Sequence, residues 1–294
     1  MKKLLAYIKL LRVDQWSKNA FIFLPAFFGF HLNNTQQILN CIIAFIGFSF
    51  VASGIYIFND YFDIEADRDH PTKKSRPLAN GTLSVTPALV LMVILTVAGI
   101  ILIAPLGWYP LGIILFYLIQ NIAYCVKLKH YPIVDVVIIS VGFVLRIMMG
   151  GAVTHTELSH WIILITFLLA LFLALAKRRD DVLIFITSKK PTRRNTYGYN
   201  LEFLNSAYTI MASVVIVAYV MYTVEDKTMA HTSDKLYLSS FFVIVGVLRY
   251  LQITMVYNRS GSPTTVLFKD RLLQALIAGW AITIFALLYV IPKL

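Results

Sequence analysis

"ILNCIIAFIGFSFVASGIYIFNDYFDIEADRDHPTKKSRPLANG" covers residues 38–81 and changes character at Asn59. Residues 38–58 carry no charge, and an apolar run of about 20 residues is what an α-helix needs to cross a hydrocarbon core of roughly 30 Å. Asp60, Asp63, Glu65, Asp67 and Asp69 then crowd the end of that run, and Lys73, Lys74 and Arg76 follow at once. The stretch reads as a membrane-crossing helix with its chemistry gathered at one rim.

The rest of the chain agrees. Of its 294 residues, 59% are hydrophobic and 14% charged, and the mean hydropathy is +0.74. A soluble domain is nearer half apolar and a quarter charged. Apolar runs near 15–32, 38–58, 86–106, 108–126, 133–153, 160–176, 205–224, 236–257 and 272–292 predict about nine spans. Only helices and closed barrels satisfy backbone groups in lipid, so the expected fold is an all-α, polytopic membrane protein forming one domain over residues 1–294. Cys41 and Cys125 lie in apolar segments without metal-ligand spacing, which argues against a disulfide framework or a zinc site. The basic start (Met1, Lys2, Lys3) is not followed by a small-residue cleavage site, so the first run reads as a retained helix.

The net charge of +11 would suit a nucleic-acid partner if it were spread along one face. Instead, twenty-one of the 26 Lys and Arg fall on the N-terminus and the 2–3, 4–5, 6–7 and 8–9 connections. Lys227, Lys235 and Lys293 fall on the other side, and Arg146 and Arg249 inside spans. This asymmetry orients the basic side toward the cytoplasm. It implies a cell (inner or plasma) membrane protein with its N-terminus and functional loops inside. The lipid bilayer, not nucleic acid, is the expected partner, and a homo-oligomer stays open.

If the helix continues through residue 67 at about 100° per residue, Asn59, Asp63, Asp67 and Asp60 lie at about 0°, 40°, 80° and 100°. Glu65 points away. Oxygen donors grouped on one face suit a hard cation such as Mg²⁺, which keeps waters or substrate phosphates in its shell. The competing reading is a solvated loop pairing its acids with Arg68, Lys73 and Lys74. Periodicity and position at a helix end in the membrane favour the metal–phosphate site, with Lys73, Lys74 and Arg76 as counter-charges to a bound polyanion.

Further cations lie beyond it. "FLALAKRRDDV" is expected to end span 6 with Lys177, Arg178, Arg179, Asp180 and Asp181. Lys177 and Asp181, four apart, could form a plain helix pair or serve a substrate. "KKPTRRNTYGYN" (189–200) interleaves cations with Tyr197 and Tyr199, residues that hold a ring or mark the interface. In span 5, Asp135 and Arg146 are eleven residues apart and share a face with Gly142. A charge inside a membrane span is a functional candidate by default, structural pairing with a helix carbonyl or acid being its alternative. Arg249 merits the same two readings. Trp16, Lys18 and Asn19 stand where span 1 leaves the cytoplasm.

Asn59, Asp60, Asp63 and Asp67 match an NDxxDxxxD pattern, and the chain resembles the UbiA superfamily of intramembrane prenyltransferases. "RVDQWSKN", "DRDHPTKKSRPLANG", "YCVKLKHYPIVD", "GFVLRIMMGG", "AKRRDD" and "RYLQI…GSPTTVLFKDR" resemble, in order, blocks of one branch, the decaprenyl-phosphate phosphoribosyltransferases. The second DxxxD-type motif usual after helix 6 is replaced by "KRRDD", which suits a donor with extra phosphate. The resemblance implies a UbiA-like bundle with cytoplasmic active-site loops and Mg²⁺-dependent transfer of 5-phosphoribose from phosphoribosyl pyrophosphate to a polyprenyl phosphate. Asp60, Asp63 and Asp67 would be the catalytic acids, sharing the metal with Asn59. Lys73, Arg76, Lys177 and Arg178 would meet donor phosphates, with Asp181 and Asp135 beside the substrates. Lys18 and Arg146 would hold the lipid phosphate, with Asn19 among the substrate-binding residues. A true prenyltransferase using an aromatic acceptor shares the acidic motif. A lipid-phosphate transporter would instead place charges at the midplane with broken helices in both halves.

Overall fold

The computed structural model describes residues 2–69, 73–188, 198–257 and 263–290. The described residues contain helices and turns and no strand. They divide into two compact units, residues 1–159 and 160–294.

The first unit opens with α1 (Lys2–Leu11). Next comes a 3₁₀ helix over Val13–Phe23 and a short α2 (Leu24–Phe28) with Pro25 in its first turn. Then follow α3 (Thr35–Phe62), α4 (Ile64–Asp69), α5 (Val85–Ile103), α6 (Trp108–Val126) and α7 (Val134–Thr154). The Asn34 side chain accepts from the Gln37 N–H to start α3, satisfying one of the helix's orphan donors. α3 lies closely along α5 because Gly47 and Gly99 meet: a Cβ on Gly99 would stand 2.5 Å from the Gly47 carbonyl oxygen. Small residues at such a crossing let backbones approach where lipid provides no hydrophobic drive. Phe48, Val51, Ile55, Ile114, Tyr117 and Met149 belong to the core between α3, α6 and α7.

The second unit comprises α8 (His160–Ser188), α9 (Leu201–Thr223), α10 (Asp226–His231), α11 (Ser240–Met255), α12 (Pro263–Lys269) and α13 (Arg271–Phe285). Phe172 stacks on Tyr208 with centroids 4.6 Å apart. The Tyr208 hydroxyl bonds Thr254 Oγ1 at 2.9 Å, and Arg179 ties this core together, donating to Asn205 Oδ1 and to the Thr254 carbonyl at 2.7 Å each.

Eight helices among the described residues are long and apolar enough to cross a membrane. They match the expected runs from 38–58 onward. The expected span over 15–32 is built differently. A 3₁₀ coil rises about 2.0 Å per residue against 1.5 Å for an α-helix, so eleven residues plus the five of α2 cover about 30 Å. It is seated by Gly150, where a Cβ would come within 2.1 Å of the Ile22 carbonyl oxygen. The chain turns away at Phe30, whose φ is +61°.

Two further boundaries differ from expectation. α8 does not end at residue 176 but runs to Ser188, so Lys177–Asp181 are helical; the burial of Arg178 and Arg179 removes the solvated charge that normally stops a span. α3 ends at Phe62 and Asp63 leaves the helical conformation (φ −99°, ψ 7°). The assumed helix through residue 67 is therefore two helices, α3 and α4.

Candidate active site

α3 delivers Asn59 and Asp60, the turn between helices delivers Asp63, and α4 delivers Asp67. The three acids meet cations drawn from three parts of the first unit. Asp60 Oδ1 accepts from Arg12 Nη2 at 2.5 Å and from Arg76 Nη1 at 3.0 Å. The same Arg76 Nη1 donates to Asp67 Oδ2 at 2.6 Å, so one guanidinium bridges two carboxylates. Asp63 accepts from Lys129 Nζ at 2.6 Å on Oδ1 and from Asn59 Nδ2 at 3.1 Å on Oδ2. Asp60 and Asp67 are only 3% exposed, and buried carboxylates persist only where paired and hydrogen-bonded. Burial pushes the Asp67 carboxyl above the usual carboxylate range, against the opposing pull of Arg76 and Lys73.

The loop carrying Arg76 is held from beneath. Leu78, Leu83 and Ala88 pack with Ala6, Leu10 and Ile57 in one buried cluster. Lys9 Nζ donates to the Ser75 carbonyl at 3.0 Å and Arg68 Nε to the Ala79 carbonyl at 3.2 Å. Gly81 takes φ +74°, a left-handed turn that favours glycine. Pro71 and its neighbours 70 and 72 lie outside the described residues.

A second polar cluster lies in the span interior. Arg146, 5% exposed, donates to Asn19 Oδ1 at 2.7 Å, to the Gly142 carbonyl at 2.6 Å and to the Tyr117 hydroxyl at 3.2 Å. Its guanidinium carbon lies 4.7 Å from the Phe48 ring centroid and 5.1 Å from that of Tyr117. Asn19 Nδ2 in turn donates to Ser49 Oγ at 2.8 Å, and Trp16 Nε1 to Ser53 Oγ at 3.0 Å. No acid pairs with Arg146 among the described residues. The Gly142 carbonyl is a partner of the kind the structural alternative names, and Asn19 and Arg146 hold one another. Lys18 is half-buried near them, and Asp135 is fully buried at the start of α7.

In the second unit Arg178 Nη1 donates to Asp181 Oδ2 at 2.8 Å, three residues on, with Lys177 at the preceding position of α8. Tyr199 is buried, whereas residues 189–197, including Tyr197, lie outside the described residues. Arg249 pairs with Asp270, Nη2 to Oδ2 at 2.7 Å, and Asp270 also caps α13 by accepting from the Leu273 N–H.

Two members of the cluster, Arg12 and Lys129, are not among the site residues expected from sequence. Both stand inside quoted blocks, "RVDQWSKN" and "YCVKLKHYPIVD"; what was lacking is any local sign that they reach Asp60 and Asp63 over 48 and 66 residues.

The donors fit a hard divalent ion. Asn59, Asp60, Asp63 and Asp67 offer oxygen only. Among the described residues no three His, Cys, Asp or Glu side chains are grouped so that they could hold a metal ion by themselves. Mg²⁺ is typically held by one or two carboxylates with substrate phosphates and waters completing its shell.

Residues 22–185 match the UbiA prenyltransferase family. Over 97% of this chain and 87% of the other, the sequence is 32% identical to the decaprenyl-phosphate phosphoribosyltransferase of Corynebacterium glutamicum. The protein of that name from Mycobacterium tuberculosis is 30% identical over 95% of this chain and 93% of its own. A UbiA homolog from Archaeoglobus fulgidus bound to DMAPP and Mg²⁺ superposes with a TM-score of 0.71 at 17% identity, over 97% of this chain and 99% of that one. Fold and site define a multi-pass, all-helical membrane transferase. The chain belongs to the UbiA prenyltransferase family.

Proposed function

We propose that the protein transfers 5-phosphoribose from phosphoribosyl pyrophosphate to a polyprenyl phosphate, releasing pyrophosphate, at the cytoplasmic rim of the cell membrane, with the whole chain acting as one catalytic domain. The observation that carries this is the pairing of three motif carboxylates with Arg12, Arg76 and Lys129. Without substrate the cations neutralise the acids. A Mg²⁺–pyrophosphate complex brings positive charge to the acids and negative charge to the cations, so both sets exchange partners at little electrostatic cost. The names of relatives matched over nearly their full length support phosphoribose as the group moved.

Asn59, Asp60 and Asp63, with Asp67 in support, would hold Mg²⁺, whose charge would stabilise the departing pyrophosphate. Arg76, Lys73, Arg12 and Lys129 orient the donor phosphates; Arg offers a planar fork and Lys a point charge. The expected roles of Lys177, Arg178 and Asp181 toward substrate belong to the same proposal. The bond from ribose C1 to the pyrophosphate oxygen breaks as the bond to a lipid-phosphate oxygen forms. The acceptor is already an anion, so it needs positioning more than a base. Lys18 is the cation available to hold it, and Arg146 with Asn19 sets the wall behind.

The test supplies labelled phosphoribosyl pyrophosphate, a polyprenyl phosphate and Mg²⁺ to detergent-purified protein and follows label into the organic phase. Metal-dependent label in lipid, abolished by Asp63→Asn, is the expected result. Consumption of a prenyl pyrophosphate with an aromatic acceptor, and no labelled lipid, would overturn it in favour of prenyl transfer.

A further inference from the structure

α1 takes no part in the chemistry above, yet it presents surfaces that call for a ligand. Ala6 and Leu10 are buried, while Leu4, Leu5 and Ile8 are 65, 59 and 46% exposed. At about 100° per residue Leu4, Leu5 and Ile8 share one arc, and Lys9 falls beyond its edge. A helix so patterned lies in the membrane interface.

Between α1 and the first turns of α5 runs a groove of about 540 Å³, walled by Leu4, Tyr7 and Leu11 on one side and Pro87, Val90 and Ile94 on the other. α5 is a membrane-crossing helix with most of its surface outward, so the groove opens onto hydrocarbon. From Pro87 to Ile94 it follows α5 for about 10 Å, a large part of one leaflet's hydrocarbon depth of about 15 Å. Lys3 falls next to Tyr7 on the helix circumference. It is exposed and makes no hydrogen bond or ion pair among the described residues, whereas Lys9 is committed to Ser75.

α1 leads directly to Arg12. That residue adopts φ 50°, ψ 49°, a left-handed conformation unfavourable for a non-glycine residue. Its side chain offsets this with the ion pair to Asp60 and a guanidinium 4.9 Å from the Tyr56 ring. The position of α1 therefore sets whether Arg12 reaches the motif.

We propose that the groove binds one acyl chain of an anionic phospholipid, with Lys3 at its phosphate, and that the seated lipid holds α1 where Arg12 stays on Asp60. Lipid retention is read without the transfer reaction, so the outcome stands apart from the proposed function.

The full chain in nanodiscs of phosphatidylcholine with a minority of phosphatidylglycerol is released into a mass spectrometer, and amide exchange is followed over residues 9–16. Wild type is expected to retain one phosphatidylglycerol that Leu4→Glu loses, with several-fold faster exchange in the variant. Lys3→Gln is expected to keep a lipid but lose the preference for the anionic one. Val90→Trp, which fills the groove from an exposed position, is expected to lose the lipid but keep exchange slow, because the indole takes the acyl chain's place against α1; fast exchange in it overturns the link to Arg12. Equal retention by Leu4→Glu and wild type overturns the site, as does release of added polyprenyl phosphate instead of phospholipid. Loss of lipid with unchanged exchange in Leu4→Glu overturns the link to Arg12. Should Leu4→Glu fail to fold, Val90→Trp decides alone: retained phosphatidylglycerol in it refutes the site.

Discussion

Lys129 Nζ lies 2.6 Å from Asp63 Oδ1, although 66 residues separate the two. The short 3₁₀ turn over Leu128–His130 after α6 places the lysine there, and its side chain is only 11% exposed. In the reaction proposed above, a cation so placed would serve as a point-charge ligand for a donor phosphate when Asp63 turns to the metal.

Lys129→Gln should therefore raise the donor KM about tenfold or more, a loss of about 1.4 kcal/mol of binding. Lys129→Arg should recover part of it. Initial rates against phosphoribosyl pyrophosphate concentration read the effect; an unchanged KM with lowered thermal stability would make Lys129 purely structural.

The seat of the 3₁₀ helix is testable by two glycines in α7. A methyl at Gly150 meets the Ile22 carbonyl oxygen at 2.1 Å, whereas at Gly142 the nearest atom is an Arg146 nitrogen at 3.5 Å. Gly150→Ala should cost about 1–3 kcal/mol, the usual range for overpacking. Gly142→Ala should be nearly silent. Thermal unfolding in detergent distinguishes them, and equal losses would refute the close seat.

Asn19 and Arg146 are coupled directly, with no acid paired to Arg146 among the described residues. Asn19→Ala, Arg146→Met and the double variant should give an interaction energy within about 0.5–3 kcal/mol, as for contacting residues. Strict additivity in detergent unfolding would show that the 2.7 Å bond between them contributes nothing.

Asp270 combines a cap with an ion pair. The hydrogen bond from Arg249 holds its carboxyl below the usual range, and the Leu273 and Leu272 backbone N–H groups act in the same direction. A lowered folded pKa gives stability that is present above the unfolded value near 4 and is lost as pH falls through the folded one. Asp270→Asn keeps a good N-cap and should remove this acid limb, while Asp270→Ala should cost about 1 kcal/mol more at neutral pH. Melting temperatures between about pH 3 and neutral pH check both.

Spans such as 86–106 and 108–126 were legible because an uninterrupted apolar run has one physical solution in lipid. The acids of the site were legible for a similar reason: their spacing is local. Their partners were not. Arg12 and Lys129 read as positive-inside charges, and nothing within a helical turn of either points to Asp60 or Asp63. The charges at 177–181 read as a helix end because burial of Arg178 and Arg179 depends on tertiary partners, among them Asn205 and the Thr254 carbonyl. The winding of the first span was not legible because the rule of about 20 residues presumes an α-helical rise.

That tighter coil has a metrical consequence. Trp16 and Asn19 are three residues apart and bond Ser53 and Ser49, four apart on α3. Three residues of a 3₁₀ helix climb about 6 Å, and so do four of an α-helix. The two antiparallel rods thus share a common ruling, and one full turn of the first brings the next rung level. Wound as an α-helix, the same three residues would climb about 4.5 Å and fall some 60° short of a full turn. A single inserted residue between Trp16 and Asn19 should therefore unfasten both rungs together.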